Sequence, residues 1–129
     1  MAIKKRRGKE RKGATLVEFA FVLPIILALF FALWEWSRVE LIRQVSATAC
    51  YQAARRGTLP NATAVDVREV ADLVLDTYFV KNSTVIASTA GGETTVNVSV
   101  PLDDNLWTVG KFFAGRDVTS DFTLRNEFN

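Results

Sequence analysis

Phe19 to Trp34 is a stretch of sixteen residues without a charge, and no other feature limits the possible folds of this chain so strongly. Extended to Ala14 and Trp36 it is twenty-three residues long, interrupted by Glu18 and Glu35. A helix crosses the ~30 Å hydrocarbon layer of a bilayer with about 20 mostly apolar residues, so the segment is long enough to span one. Trp34 and Trp36 stand at its far end, where indole rings favour the membrane–water interface. The alternative is a helix buried in a protein core. It fails on size: the remainder of the 129-residue chain is too small and too polar to enclose a helix that is apolar on every side.

The charges orient this segment. Residues 1–13 carry seven Lys/Arg (Lys4, Lys5, Arg6, Arg7, Lys9, Arg11 and Lys12) against Glu10, a net +6. Residues 14–129 carry nine Lys/Arg against thirteen Asp/Glu, a net −4. Only Arg38 and Arg43 follow the span closely. That imbalance predicts a single-pass protein with its N-terminus in the cytoplasm. Residues 1–13 are then a basic cytoplasmic leader, residues 14–36 a transmembrane helix, and residues 37–129 a small extracytoplasmic domain. Topology and attraction to anionic lipid account for the basic residues, so membrane lipid is an expected partner and nucleic acid is not. A cleaved secretory signal opens in the same way but needs small residues directly after its apolar core. Here Trp34-Glu35-Trp36-Ser37-Arg38 follows, and the nearest Ala-x-Ala, Ala47-Thr48-Ala49, comes about a dozen residues too late. The same distance argues against Thr48-Ala49-Cys50 as a lipoprotein cleavage site.

Glu18 asks for its own explanation, because an ionised carboxylate in a span is costly unless it is solvated or paired. Its neighbourhood is Lys12-Gly13-Ala14-Thr15-Leu16-Val17-Glu18-Phe19, so Glu18 is the fifth residue after a Gly that closes the basic head. This spacing resembles the class III signal of type IV pilin-like proteins. More narrowly, Arg11-Lys12-Gly13-Ala14-Thr15-Leu16-Val17-Glu18-Phe19, with Pro24 six residues after Glu18 and Trp34-Glu35-Trp36-Ser37-Arg38 after the run, resembles the N-terminal signature of TadE-like proteins. These are minor pseudopilins of the Tad (tight adherence, Flp-type) pilus. The resemblance covers residues 6–43, about 30% of the chain, and is looser for Gln52 to Gly57.

The resemblance implies a processing site between Gly13 and Ala14, cut by a prepilin peptidase on the cytoplasmic side. It implies an assembly and recognition role for Glu18 and Phe19, with the Glu18 carboxylate pairing with the freed α-amine of a neighbouring subunit. The catalytic aspartates belong to the peptidase, and this chain is its substrate. Other pilins, pseudopilins and the pilus assembly platform are the further implied partners, in a bacterial inner membrane. Pro24 removes a backbone donor and clashes with the preceding turn, which predicts a kink or a loosened stretch of the span. A tolerated transmembrane proline is the alternative.

Beyond the span, Val39, Ile42, Val45, Ala49 and Ala53 continue an apolar stripe at three- and four-residue spacing, with Glu40, Gln44, Tyr51 and Arg55 away from it. Gly57 and Pro60 supply a stop. The first helix is therefore expected from Ala14 to about Arg56, roughly 43 residues or 65 Å. Cys50 lies beside the stripe as a small packed residue, or alternatively as an intermolecular disulfide partner in an oxidising compartment. Thr63-Ala64-Val65-Asp66 predicts a capping box, and Val67, Val70, Ala71, Val74, Leu75 and Tyr78 predict a second helix over residues 64–80. Two β-rich runs, 83–89 and 94–100, flank Gly91-Gly92 and predict a hairpin with Val96, Val98 and Val100 on one face. Leu106 to Gly115, with Trp107, Phe112 and Phe113, is expected to cover the sheet edge, and residues 117–128 to form a third strand. The fold class is α+β: a long N-terminal helix, a second helix and a small antiparallel sheet of about three strands, like the pilin-type plan.

The chemistry available to such a chain is narrow. With no His and one Cys, it cannot build the common zinc sites or a Cys/His or Ser/His pair. No catalytic residues, metal site or cofactor are expected, and no small-molecule substrate. Gly91-Gly92 is too short for a phosphate loop and lacks its Lys. Asp103, Asp104, Asp117 and Asp121 lack the regular spacing of a calcium loop and read as turn-forming or solvated. Asn61, Asn82 and Asn97 each begin an acceptor triplet for glycosylation, a weak and host-dependent match. Two functions compete: a processed pseudopilin, and an uncleaved single-pass protein whose head binds an envelope partner.

Overall fold

The structure, a computed structural model, describes residues 9–107 and 115–125, with side chains from residue 13 onward. Its elements are α1 (Lys9–Gly57), α2 (Ala64–Thr77), β1 (Thr84–Ala90), β2 (Glu93–Pro101) and β3 (Asp117–Arg125). The chain divides into two compact units, one ending at Trp34 and one beginning at Glu35. The expected α+β plan is the observed one.

The first unit is the apolar part of α1. From Leu16 to Trp34 its large apolar side chains are 39–75% exposed, on every side of the helix. An exposed apolar surface of this extent suits a lipid or protein neighbour. Among the described residues, α1 is the one helix long and apolar enough to cross a membrane.

The second unit is a head built on the polar half of α1. Val39, Ile42, Val45, Ala49 and Ala53 are all buried, as their spacing predicts, while Glu40, Gln44, Tyr51 and Arg55 are exposed. Ser46, Cys50, Ala54 and Gly57 are buried too. These residues are small, and small residues let a helix backbone approach a sheet closely. At Gly57 the approach is closest: an added Cβ would stand 2.7 Å from Thr94 Oγ1. Ser46 Oγ and Thr94 Oγ1 are buried without a hydrogen-bond partner.

α2 begins at the predicted capping box. The Thr63 N–H donates to Asp66 Oδ2 at 2.9 Å, and the Asp66 N–H donates back to Thr63 Oγ1 at 3.3 Å. Val67, Ala71 and Leu75 are buried, with Val70 and Val74 packed against the same core. The helix stops at Thr77, three residues before the expected end. Tyr78 belongs to the periodic pattern but is 46% exposed, because the chain turns away through Phe79 (φ 56°).

The sheet has the order β1-β2-β3, both pairs antiparallel. Gly91 and Gly92 have φ of 63° and 77°. Positive φ at both loop positions is the two-residue hairpin turn whose twist matches the strands, and glycine tolerates it best. Thr94, Val96, Val98 and Val100 are buried, so the period-two face of β2 meets the helices. Val98 pairs with Val85 and Ser120, and Val100 with Val118. The opposite face is polar, with Thr95 and Thr123 hydroxyls 3.1 Å apart. β3 ends at Arg125, and residues 126–128 of the expected strand lie outside the described residues.

After β2 the chain makes a turn in which the N–H groups of Asn105 and Leu106 both donate to the Leu102 carbonyl at 3.1 Å. This tucks Leu102 and Leu106 into the core. Of the segment expected to cover the sheet edge, Leu106 is buried, Trp107 is 95% exposed and residues 108–114, Phe112 and Phe113 among them, lie outside the described residues.

Two predictions follow from this packing, both read by chemical denaturation of the full chain in detergent. Gly57→Val destabilises the head by about 1–3 kcal/mol through overpacking, and Thr94→Ala, which removes the opposing atoms, cancels most of that loss. The backbone and side chain of Thr63 hold the Asp66 carboxyl below its usual range. A lowered folded-state value means that the contribution is present above about pH 4 and fades as pH falls through the lowered value. Asp66→Asn therefore flattens the acid limb of the stability curve.

Candidate functional site

Gly13, Ala14, Glu18, Phe19, Pro24 and Trp34 lie along one helix, α1. Glu18 is about 24 Å from Trp34 along the axis at 1.5 Å per residue. The arrangement is a line along the helix, with a small residue and a carboxylate near one end of an apolar run.

Gly13 stands inside the helix, where glycine costs about 0.5–1 kcal/mol relative to alanine. A Cβ there would meet nothing within 4 Å, so no contact within the described structure requires its smallness. Ala14 is exposed beside it. Glu18 is exposed and makes no ion pair among the described residues. Phe19, the next residue, is 57% exposed. α1 continues through Pro24. The missing Pro24 N–H leaves the Ala20 carbonyl without its usual helical donor.

Trp34 is 65% and Trp36 58% exposed. The Trp34 ring lies 6.2 Å from that of Phe30, one turn earlier, and Phe30 meets Phe31 edge-on at 6.0 Å. Glu35, between the two tryptophans, is only 5% exposed within the head. Sequence reasoning treated it as an interruption of the apolar run and missed its burial. The hint in the sequence was its place directly after the uncharged run, within Trp34-Glu35-Trp36-Ser37-Arg38.

A second residue that sequence reasoning missed is Asn105, 7% exposed. Its amide nitrogen donates to the carbonyls of Lys81 (2.9 Å) and Pro101 (2.8 Å), and its oxygen accepts from the Lys81 N–H at 2.8 Å. It ties the α2–β1 loop to the segment after β2. The neighbouring acids are occupied in turns: Asp104 accepts from Asn82 at 2.9 Å, and Asp103 accepts from the Gly115 N–H at 3.0 Å.

Residues 13–55 match the TadE-like protein family. The match opens at Gly13, includes Glu18, Phe19, Pro24, Trp34 and Trp36, and closes two residues before α1 ends. The match is thus confined to the long helix, taking in the apolar run and the first residues of the head, and the rest of the head from residue 56 onward lies beyond it. No curated protein and no solved structure matches the chain.

Cys50 falls within the TadE-like segment and is 1% exposed. Its thiol donates to the Ser120 carbonyl at 3.2 Å. Burial pushes the thiol up to about 11, since desolvation disfavours the thiolate. Both observations favour the packed reading over the intermolecular disulfide. A maleimide is expected to label Cys50 slowly in the folded chain at neutral pH and rapidly after denaturation, followed by intact mass. A raised folded-state value also means that stability is full below about pH 9 and falls as pH rises towards 11; Cys50→Ala should remove that part of the alkaline loss.

Proposed function

We propose that this chain is a TadE-like minor pseudopilin of a Tad pilus or a related secretion filament, anchored in a bacterial inner membrane with its head outside the cytoplasm. A prepilin peptidase removes residues 1–13 by cutting between Gly13 and Ala14. The observation that carries the reading is the family match, which starts at Gly13 and runs the length of a helix whose apolar side chains face outward on all sides. The role is structural: the helix is a surface for lipid and for neighbouring helices.

The chemistry of the N-terminal segment fits that use. Gly13 presents an unhindered backbone to a peptidase, and nothing else in the described chain makes use of its lack of a side chain. Cleavage creates an α-ammonium group on Ala14. Glu18 is displaced from that amine by about one helical turn, so a neighbouring subunit shifted along the axis can offer its own amine to this carboxylate. In a low-dielectric bundle an unpaired carboxylate is expensive, so the pairing selects an axial register. Removal of the leader also changes the sign of the protein, from a precursor of +2 to a mature set of side chains summing to −4. Partners in this reading are the peptidase, other pilins and pseudopilins, the assembly platform and lipid.

The test is N-terminal sequencing and intact mass of the protein from cells with and without the peptidase. A mature chain beginning at Ala14 only when the peptidase is present is expected. A chain that still begins at Met1 or Ala2 in its presence overturns the proposal in favour of an uncleaved anchor. Gly13→Leu should block processing, whereas Glu18→Ala should leave processing intact and reduce piliation; normal piliation in that variant would remove the pairing role.

A further inference from the structure

α2 ends in a pattern that normally calls for glycine. The Val80 N–H donates to the Leu75 carbonyl at 3.1 Å and the Phe79 N–H to the Asp76 carbonyl at 3.0 Å. Val80 (6% exposed) and Leu75 (0%) supply the apolar pair that accompanies this closure. The residue between cap and closure must adopt a left-handed backbone, and here it is Phe79, with φ 56°. In that conformation a bulky side chain crowds its own backbone, which makes the position strained. Phe79 recovers nothing by burial, since it is 81% exposed. Strain kept at an exposed aromatic residue points to a contact outside the chain.

The head's own hydrogen bonds show at which end this residue sits. The Arg38 guanidinium donates to the Phe79 carbonyl at 3.5 Å, which puts Phe79 beside the first turns of the head's helix. The other end of that helix is marked by Gly57 against Thr94, at the start of β2. Seven residues earlier on the helix the Cys50 thiol donates to the Ser120 carbonyl, and Ser120 pairs with Val98, so β2 runs back towards the Arg38 end, and Trp107 lies six residues past its last residue, Pro101. Asn105 binds that segment to Lys81, two residues from Phe79. Trp107 is 95% exposed. Three exposed aromatics, Trp36, Phe79 and Trp107, thus belong to the end of the head at which the chain joins the apolar run at Trp34.

We propose that Phe79 and Trp107 insert into the lipid interface of the membrane, giving the head a contact with the bilayer in addition to its covalent link to α1. The occupant is the headgroup and upper acyl region of the membrane that α1 enters. Covalent connection at Trp34–Glu35 holds the aromatics near that surface, and indole and phenyl rings favour its mixed polarity. Arg38 and Lys81 can extend their charged ends to the headgroups while their stems stay among the rings. Two exposed rings then gain an apolar environment without a further protein partner. The inference rests on residues 14–34 spanning a membrane.

The test uses the full chain in vesicles of phosphatidylcholine and phosphatidylglycerol, at about one chain per vesicle. With Trp34→Phe and Trp36→Phe, Trp107 becomes the sole indole, and lipids brominated in the upper acyl chain should quench most of its emission. A second reporter, Phe79→Trp with all three native tryptophans changed to Phe, should behave likewise. Leu59→Trp in the same background, at the opposite end of the head, should stay unquenched. A chain retaining only Trp34 reports the span itself. Quenching of Trp34 with none of Trp107 or the residue-79 reporter overturns the proposal while leaving the anchor intact. Failure to quench Trp34, with no flotation of the chain, overturns the anchor and the proposal together. A blue shift of Trp107 that grows with protein density but resists brominated lipid assigns the surface to a second copy, and also overturns it.

Discussion

Backbone carbonyls and amides cannot be left unpaired in hydrocarbon, so a chain that crosses a bilayer once must do so as a helix. α1 meets that condition from Ala14 to Trp34 and then keeps the same backbone ladder while changing its side-chain logic. In the first part every face is apolar and exposed. In the second part a single face is buried, and it is made of Val39, Ile42, Val45 and a run of small residues from Ser46 to Gly57. Everything else in the head is arranged on that face, so its folding depends on a helix that begins outside it.

Close approach is what the small residues provide. Ala49, Ala53, Ala54 and Gly57 bury little area each, so the stabilisation comes from the β2 valines and the α2 face that they admit. Cys50 fits the same need, with a thiol small enough to lie on the Ser120 carbonyl. The cost is visible in Ser46 and Thr94, whose hydroxyls are buried without partners. An unsatisfied buried hydroxyl costs about 1–3 kcal/mol, so the packing around Gly57 must outweigh that loss.

The elements of the head could be read along the chain because each announces itself locally. The capping box at Thr63 and Asp66, the diglycine hairpin and the alternation in β2 are short-range patterns, and each appears in the structure where its residues stand. The reading went astray where a residue's place is decided by something distant. Tyr78 has the right spacing for the core, yet the chain has already turned to bring Val80 back onto Leu75. Leu106 and Trp107 are adjacent and both apolar, yet the turn after β2 buries the first and leaves the second exposed. Glu35 looks like a break in an apolar run, yet the head closes over it.

The long apolar helix of the N-terminal segment was legible, since the length of an uncharged run and the spacing of residues along it are read directly from the chain. These are one-dimensional quantities, and a helix whose apolar side chains stay exposed adds no further constraint to them. The tertiary structure decided which residues of the head share an end: Arg38 with Phe79, Gly57 with Thr94, Asn105 with Lys81. Such pairs are separated by 24 to 41 residues. Only the direction in which the sheet is laid on the helix brings them together, and no local pattern encodes that direction.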